Sequence, residues 1–99
     1  MVRHIVLFQF QKDLPEAVKK EAAERFKKKI LALPEKLSLI KSIEVGLNCN
    51  PDEKWDICLN SSFESLNDVR TYAAFPDHQA AATELKQFLS GRSCVDYEF

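Results

Sequence analysis

Phe63-Glu-Ser-Leu-Asn-Asp-Val-Arg-Thr-Tyr-Ala-Ala-Phe-Pro-Asp-His78 is the stretch on which the reading of the chain turns. Ser65 followed by Asp68 has the spacing of a capped helix start: the serine oxygen accepts an orphan backbone N–H, and the aspartate sits in the positive first turn. Leu66, Val69, Tyr72 and Ala73 then recur at helical spacing, so a short helix buries one face. Pro76 disfavours helical geometry at Phe75 and lacks an N–H, which breaks the helix there. Proline also opens helices well, and Asp77 is acidic near the new start. His78, Ala81, Ala82, Leu85, Phe88 and Leu89 mark the stripe of a second helix, with His78 one turn from its N-terminus. Gly91 reads as the stop of that helix.

Outward from this stretch, the rest of the chain supplies strands and one long helix. Residues 2 to 10, Val-Arg-His-Ile-Val-Leu-Phe-Gln-Phe, are rich in strand formers, with His4, Val6, Phe8 and Phe10 on one face and Arg3, Ile5, Leu7 and Gln9 on the other. Apolar residues on both faces predict a central strand covered on both sides. Pro15 starts a long helix with the stripe Val18, Ala22, Phe26, Ile30 and Leu33, ending near Pro34. The Lys27-Lys28-Lys29 run reads as a solvated face balanced by Glu21 and Glu24 rather than as a phosphate or membrane site. Residues 37 to 48 alternate as a second strand, with Leu39, Ile43, Val45 and Leu47 on one side and Gly46 as a possible bulge or close approach. Residues 49 to 54 form a loop. Trp55, Ile57, Leu59, Ser61 and Phe63 form one face of a third strand, and residues 92 to 98 a fourth.

The order βαββαβ, with the second α split, predicts an α+β fold of ferredoxin-like type: a four-stranded antiparallel sheet in the order 4-1-3-2 with helices on one face. The other face keeps Ile5 and Leu7, and an exposed apolar patch on a small protein marks an interface. A homodimer formed sheet to sheet is therefore expected.

The 99 residues predict a single domain, 1–99. Such a chain buries roughly 65% of its unfolded surface, enough for one core. A formal net charge of −1 gives no electrostatic case for nucleic acid. No stretch reaches the roughly 20 apolar residues of a membrane span, and the first residues lack a signal-peptide pattern. Three cysteines, Cys49, Cys58 and Cys94, are odd in number and widely spaced, which suits reduced thiols and a cytoplasmic location. No metal-ligand spacing, nucleophile motif or glycine-rich phosphate loop is present, so neither a metal nor a cofactor is expected.

Antiparallel pairing of the first and fourth strands puts His4 near Asp96, and the broken helix carries Tyr72 and His78 over the same end. A histidine beside a carboxylate can act as general base or acid, and a tyrosine hydroxyl can polarise a carbonyl or hold an enolate. The structural alternatives are a helix-start histidine bonded to backbone and a tyrosine that only packs. For His4 the structural role is preferred; for His78 both stand. A small apolar, carbonyl-bearing ligand would lie against Val6, Phe8, Phe26, Leu59 and Phe88, unless the seven phenylalanines fill that space.

His4-Ile-Val-Leu-Phe-Gln-Phe10, Glu44-Val-Gly-Leu-Asn48, Phe63-Glu-Ser-Leu66, Tyr72 with Pro76-Asp-His78, and Val95-Asp-Tyr97 together resemble the stress-responsive A/B barrel (Dabb, dimeric α+β barrel) domain family. The resemblance spans nearly the whole chain. It implies a ferredoxin-like protomer whose dimer closes two sheets into a barrel. Most members are small proteins without a known activity; one plant member is a cofactor-free polyketide cyclase. Similarity to that member implies that His78 is a general base, with Tyr72 and His4 beside it. Phe26 stands where the cyclase has a second pocket tyrosine, so one substrate-polarising hydroxyl is missing. The readings are thus a ligand-binding dimer, a cofactor-independent cyclase, isomerase or lyase, or a stress protein with no ligand.

Overall fold

The computed structural model describes residues Met1–Phe99. Its elements are β1 (Val2–Phe10), α1 (Glu16–Leu31), a 3-10 turn (Leu33–Glu35), β2 (Ser42–Leu47), β3 (Ile57–Phe63), α2 (Leu66–Ala74), α3 (Pro76–Lys86) and β4 (Leu89–Glu98). The four strands form one antiparallel sheet in the order β2-β3-β1-β4, so the first strand is central and the last is an edge. The helices cover one face of the sheet. This is the ferredoxin-like architecture that the element order predicts.

The split helix forms as its sequence dictates. Ser65 is extended and its side chain accepts from the Asp68 N–H at 3.1 Å. Phe75 is also extended, ahead of Pro76, and serves both as the end of α2 and as the N-cap of α3. In β1, burial alternates residue by residue, with Val2, His4, Val6, Phe8 and Phe10 buried against the helices. The core joins these to Phe26 and Ile30 of α1, Ile57, Leu59 and Phe63 of β3, Tyr72 of α2 and Leu85 of α3. Phe26 is 3% exposed and meets Phe8 edge-on, with ring centroids 5.4 Å apart. Lys28 is exposed, whereas Lys29 pairs with Glu84 of α3, which also holds Arg25 at 2.5 Å.

Four sequence expectations are corrected. The second strand begins at Ser42, not at Leu37, because β3 ends at Phe63 and offers earlier residues no ladder partner. Leu37 and Leu39 pack against the core from an irregular segment instead. Gly46 marks neither a bulge nor a close approach: the β2–β3 register runs unbroken through it, and a side chain there would meet nothing within 4 Å. Gly91 does not stop a helix. The helix ends at Lys86, and Gly91 pairs with Gln9 inside the last strand, with a negative or extended backbone. Phe88 and Leu89 therefore leave the helix stripe, Leu89 opening the strand.

The register between β1 and β4 shifts between Gln9 and Phe10, with Gly91 opposite Gln9 and Leu89 opposite Phe10. Ser90 is the extra residue of a bulge, and its hydroxyl donates to the Phe10 carbonyl at 3.0 Å. Bulges re-aim side chains; this one puts Leu89 and Arg92, three residues apart, on the same helix-facing side. The other face of the sheet is not covered within the chain. It presents Ile5, Leu7 and Cys58 half-buried, with Val95 52% and Tyr97 43% exposed beside them.

Phe26→Ala is expected to cost about 3–5 kcal/mol, as a buried aromatic truncation does. Lys28→Ala is expected to change stability by less than roughly 0.5 kcal/mol. Urea melts of the two variants check the assignment of the helix face; comparable losses would overturn it.

Candidate functional site

Between α3 and the edge strand the helical layer leaves the sheet open. A cavity of about 500 Å³ lies there, within the size range of small-ligand sites. Its floor is Val6, Phe8, Phe26, Leu59 and Leu89, and the small side chains of Ala73 and Ala82 leave the room. His4 and His78 contribute imidazoles; Thr83, Lys86, Ser90 and Arg92 complete the wall. The phenylalanines do not fill the space. Phe88, expected as a contact, faces a separate small pocket beside Ala22 and Ala81. The turn after α3 takes it off the helix stripe that suggested its role. Phe75 packs against the core away from the cavity.

His4 and Asp96 are cross-strand partners on β1 and β4, and this register brings the His4 Nδ1 to 2.5 Å from an Asp96 oxygen. A carboxylate only accepts, so that nitrogen carries the proton and the ring is fixed in orientation. His4 is 7% exposed, and its own carbonyl accepts from the Ser61 hydroxyl at 3.2 Å. Asp96 does not line the cavity; it stands behind His4.

His78 is the third residue of α3. Its Nδ1–H donates to the Ala73 carbonyl at 3.2 Å, across the break between the two helices. Nε2 is then the lone-pair nitrogen of a ring that lines the cavity. Burial holds this imidazole below its ordinary value of 6.5; the Ala73 bond opposes that shift, while His4 and Arg92 add to it. The leading cause is thus desolvation.

Tyr72 is fully enclosed and does not line the cavity. Its ring lies between the two histidines, 4.4 Å from His78 and 6.1 Å from His4 between centroids, and packs on Phe63 at 5.1 Å. Its hydroxyl has no hydrogen-bond partner, and burial pushes its pKa well above the ordinary tyrosine value. The four residues singled out in the sequence therefore lie at one end of the domain, two at the cavity and two behind it.

Sequence reasoning missed Lys86, Ser90 and Arg92. Lys86 was recoverable, because His78, Ala82 and Lys86 share a helix stripe at four-residue spacing. Arg92 was recoverable too, because Arg92, Cys94 and Asp96 alternate onto one face of the last strand, opposite Phe8, Val6 and His4. Also missed was the approach of Cys94, whose sulfur lies 3.7 Å from the His4 Nδ1. His4, Cys94 and Asp96 place donor atoms within 4.8 Å of one another. Two ligands on one tetrahedral zinc stand about 3.3 Å apart, so the 2.5 Å His4–Asp96 contact is a hydrogen bond rather than two arms of an ion site. All three cysteines are free, and burial and Asp96 raise the Cys94 thiol pKa.

Residues 2–99 match the stress responsive A/B barrel domain, and the chain belongs to that family. No curated protein matches the sequence detectably. Among solved structures, a dimeric protein of unknown function and ferredoxin-like fold from Bacteroides fragilis is 50% identical, covers 99% of this chain and 95% of its own, and has a TM-score of 0.97. A dimeric ferredoxin-like protein of unknown function from Thermobifida fusca is 21% identical over 99% of this chain and 90% of that one, with a TM-score of 0.83. Hydroxynitrile lyase from Passiflora edulis is 18% identical over 97% and 90% of the two chains, with a TM-score of 0.76. No helix is long and apolar enough to cross a membrane.

Because the folded state favours neutral His78, the unfolded chain binds its proton more readily. This residue's contribution to stability is full above about pH 6.5 and is lost as the pH falls through the lower folded pKa. His78→Gln is expected to flatten that acid-side decline. Denaturant melts from pH 7.5 to 5 check it, and an unchanged pH slope in the variant would overturn the assignment.

Proposed function

We propose that this protein works as a homodimer that binds a small apolar, carbonyl-bearing ligand in the cavity between α3 and the sheet, against His78. One observation carries the ligand reading: an open cavity of about 500 Å³ in a chain with aromatics enough to close it. Half of the 14 lining residues are hydrophobic, and they form the floor against which polar groups fix a ligand's orientation. Val6, Phe8, Phe26 and Leu59 hold the apolar body, and His78 approaches the carbonyl end.

A second reading, proton-transfer catalysis without a cofactor, is favoured by the state of His78. A neutral imidazole with Nδ1 committed to a backbone carbonyl offers Nε2 as a base near neutral pH. Abstraction of a proton α to the ligand's carbonyl would leave an imidazolium and an enolate, and reprotonation would return both to their starting states. In this reading Asp96 orients His4, and Tyr72 positions the His78 ring from behind. A protein of the same fold, the Passiflora hydroxynitrile lyase, is an enzyme.

The dimer reading rests on the uncovered sheet face and on the dimeric Bacteroides and Thermobifida relatives. Burying Ile5, Leu7, Val95 and Tyr97 against a second copy would remove a continuous apolar patch from water. Light scattering at micromolar concentration is expected to give about twice the 11.4 kDa chain mass, and Leu7→Asp is expected to weaken association, since an unpaired charge there is costly to desolvate. A wild-type mass of one chain would overturn the dimer.

Octan-2-one serves as the ligand probe. It is expected to shift amide resonances of cavity residues, and His78→Ala is expected to abolish the shifts while circular dichroism stays native. In deuterium oxide, loss of the ketone's α-proton signals at a rate proportional to protein, absent in His78→Ala, would distinguish turnover from binding alone. No shifts in the wild-type protein would sink the ligand reading.

A further inference from the structure

We infer that the ligand carries an anionic group, a carboxylate or its equivalent, which the Lys86–Arg92 wall of the cavity holds while the apolar body and carbonyl reach toward His78. This rests on the ligand-binding reading above and adds the charge and polarity of the ligand to it.

Charge segregation is the first ground. The chain holds 15 acidic and 14 basic residues, yet no acidic side chain lines the cavity, whereas Lys86, Arg92, His4 and His78 do. The acids nearby are already engaged: Asp96 by His4, and Glu84 by Arg25 and Lys29. Lys86 and Arg92 form no ion pair with any residue. The Arg92 charge reaches the imidazole end of the cavity, where it acts to lower the pKa values of His78 and Cys94.

Geometry is the second ground. His78 and Lys86 lie on one stripe of α3, eight residues and therefore about 12 Å apart along the axis. Across the trough, β4 runs back from Leu89 to Glu98, so the strand's start lies by the end of α3 and its far end by His4. The cavity is thus a trough with imidazoles at one end and Lys86, Ser90 and the bulge at the other, over an apolar floor. Lys86 and Arg92 are exposed, so an anion there stays partly hydrated and avoids the penalty of full burial. Charge-assisted hydrogen bonds from an ammonium and a guanidinium then add to the burial of the chain.

The test compares two ligands that share a methyl ketone and differ only at the far end, 7-oxooctanoate and octan-2-one, by calorimetry or resonance titration on the full chain. The keto acid is expected to bind roughly tenfold more tightly, the scale of one charge-assisted hydrogen bond. The preference is expected to shrink as salt rises, and the ratio of the two affinities within each variant is expected to fall severalfold in R92Q and in K86Q. A native circular dichroism spectrum of each variant reports an intact fold. Equal binding of the two ligands by the wild-type protein, or a preference untouched by either substitution, would overturn the anionic assignment and leave the ligand reading standing. Failure of both ligands to bind would overturn the two together.

Discussion

The pairing of the first strand with the last is the constraint from which the rest of the structure follows. It joins residues 92 positions apart at His4 and Asp96, and closing so long a loop is an entropic cost that the ladder and the core must offset. In return it makes β1 central, leaves β4 as an edge, and fixes which residues of the last strand face the helices. The cavity exists because α1 lies toward β2 at the opposite edge and α3 packs on α1, which leaves the β4 side of the sheet open. The His4–Asp96 bond exists because the same register places the two residues opposite each other. Moving the register by one residue would turn Asp96 to the open face and separate the pair.

Much of this was legible in the chain because the signals were local. The Ser65–Asp68 cap, the Pro76 break and the alternation of residues 2 to 10 each declare one element, and element order then limits the topology to few choices. The same topology gathers His4, Tyr72, His78 and Asp96 without knowledge of any contact. What failed was legible only from partners. Residues 37 to 41 alternate like a strand, but the length of β3 decides where pairing starts. Gly91 looks like a helix stop, but backbone hydrogen bonds from Gln87 and Phe88 to Leu85 end the helix without it, and the glycine is drawn into the ladder. The bulge at Ser90 left no mark in the sequence, and with it went the helix-facing placement of Leu89.

The aromatic residues explain why a phenylalanine-rich core still has a hole. They pair with one another: Phe8 with Phe26 on one side, and Phe63 with Tyr72 and the histidine rings on the other. Each cluster satisfies the edge-to-face or tilted geometry that such rings prefer. Ala73 and Ala82, which line the void from the helices, carry almost no side chain. A void of this kind forgoes dispersion and burial that larger residues would supply, so its presence is a departure from best packing.

Two further departures lie beside it. The Tyr72 hydroxyl is enclosed without a partner, and His78 is held neutral by the loss of water around it. A buried unpaired polar group costs about 1–3 kcal/mol, and phenylalanine would occupy the same volume without that cost. Cavity, orphan hydroxyl and perturbed imidazole are contiguous: the Tyr72 ring touches His78, and His78 lines the void. Departures from optimal packing gather at functional sites more than elsewhere. Lys86 and Arg92, which form no ion pair, line the same cavity. A domain selected for stability alone has reason to close the gap, pair the hydroxyl and neutralise the cations. Retaining all three around one cavity is what distinguishes it from the rest of an otherwise well-filled core.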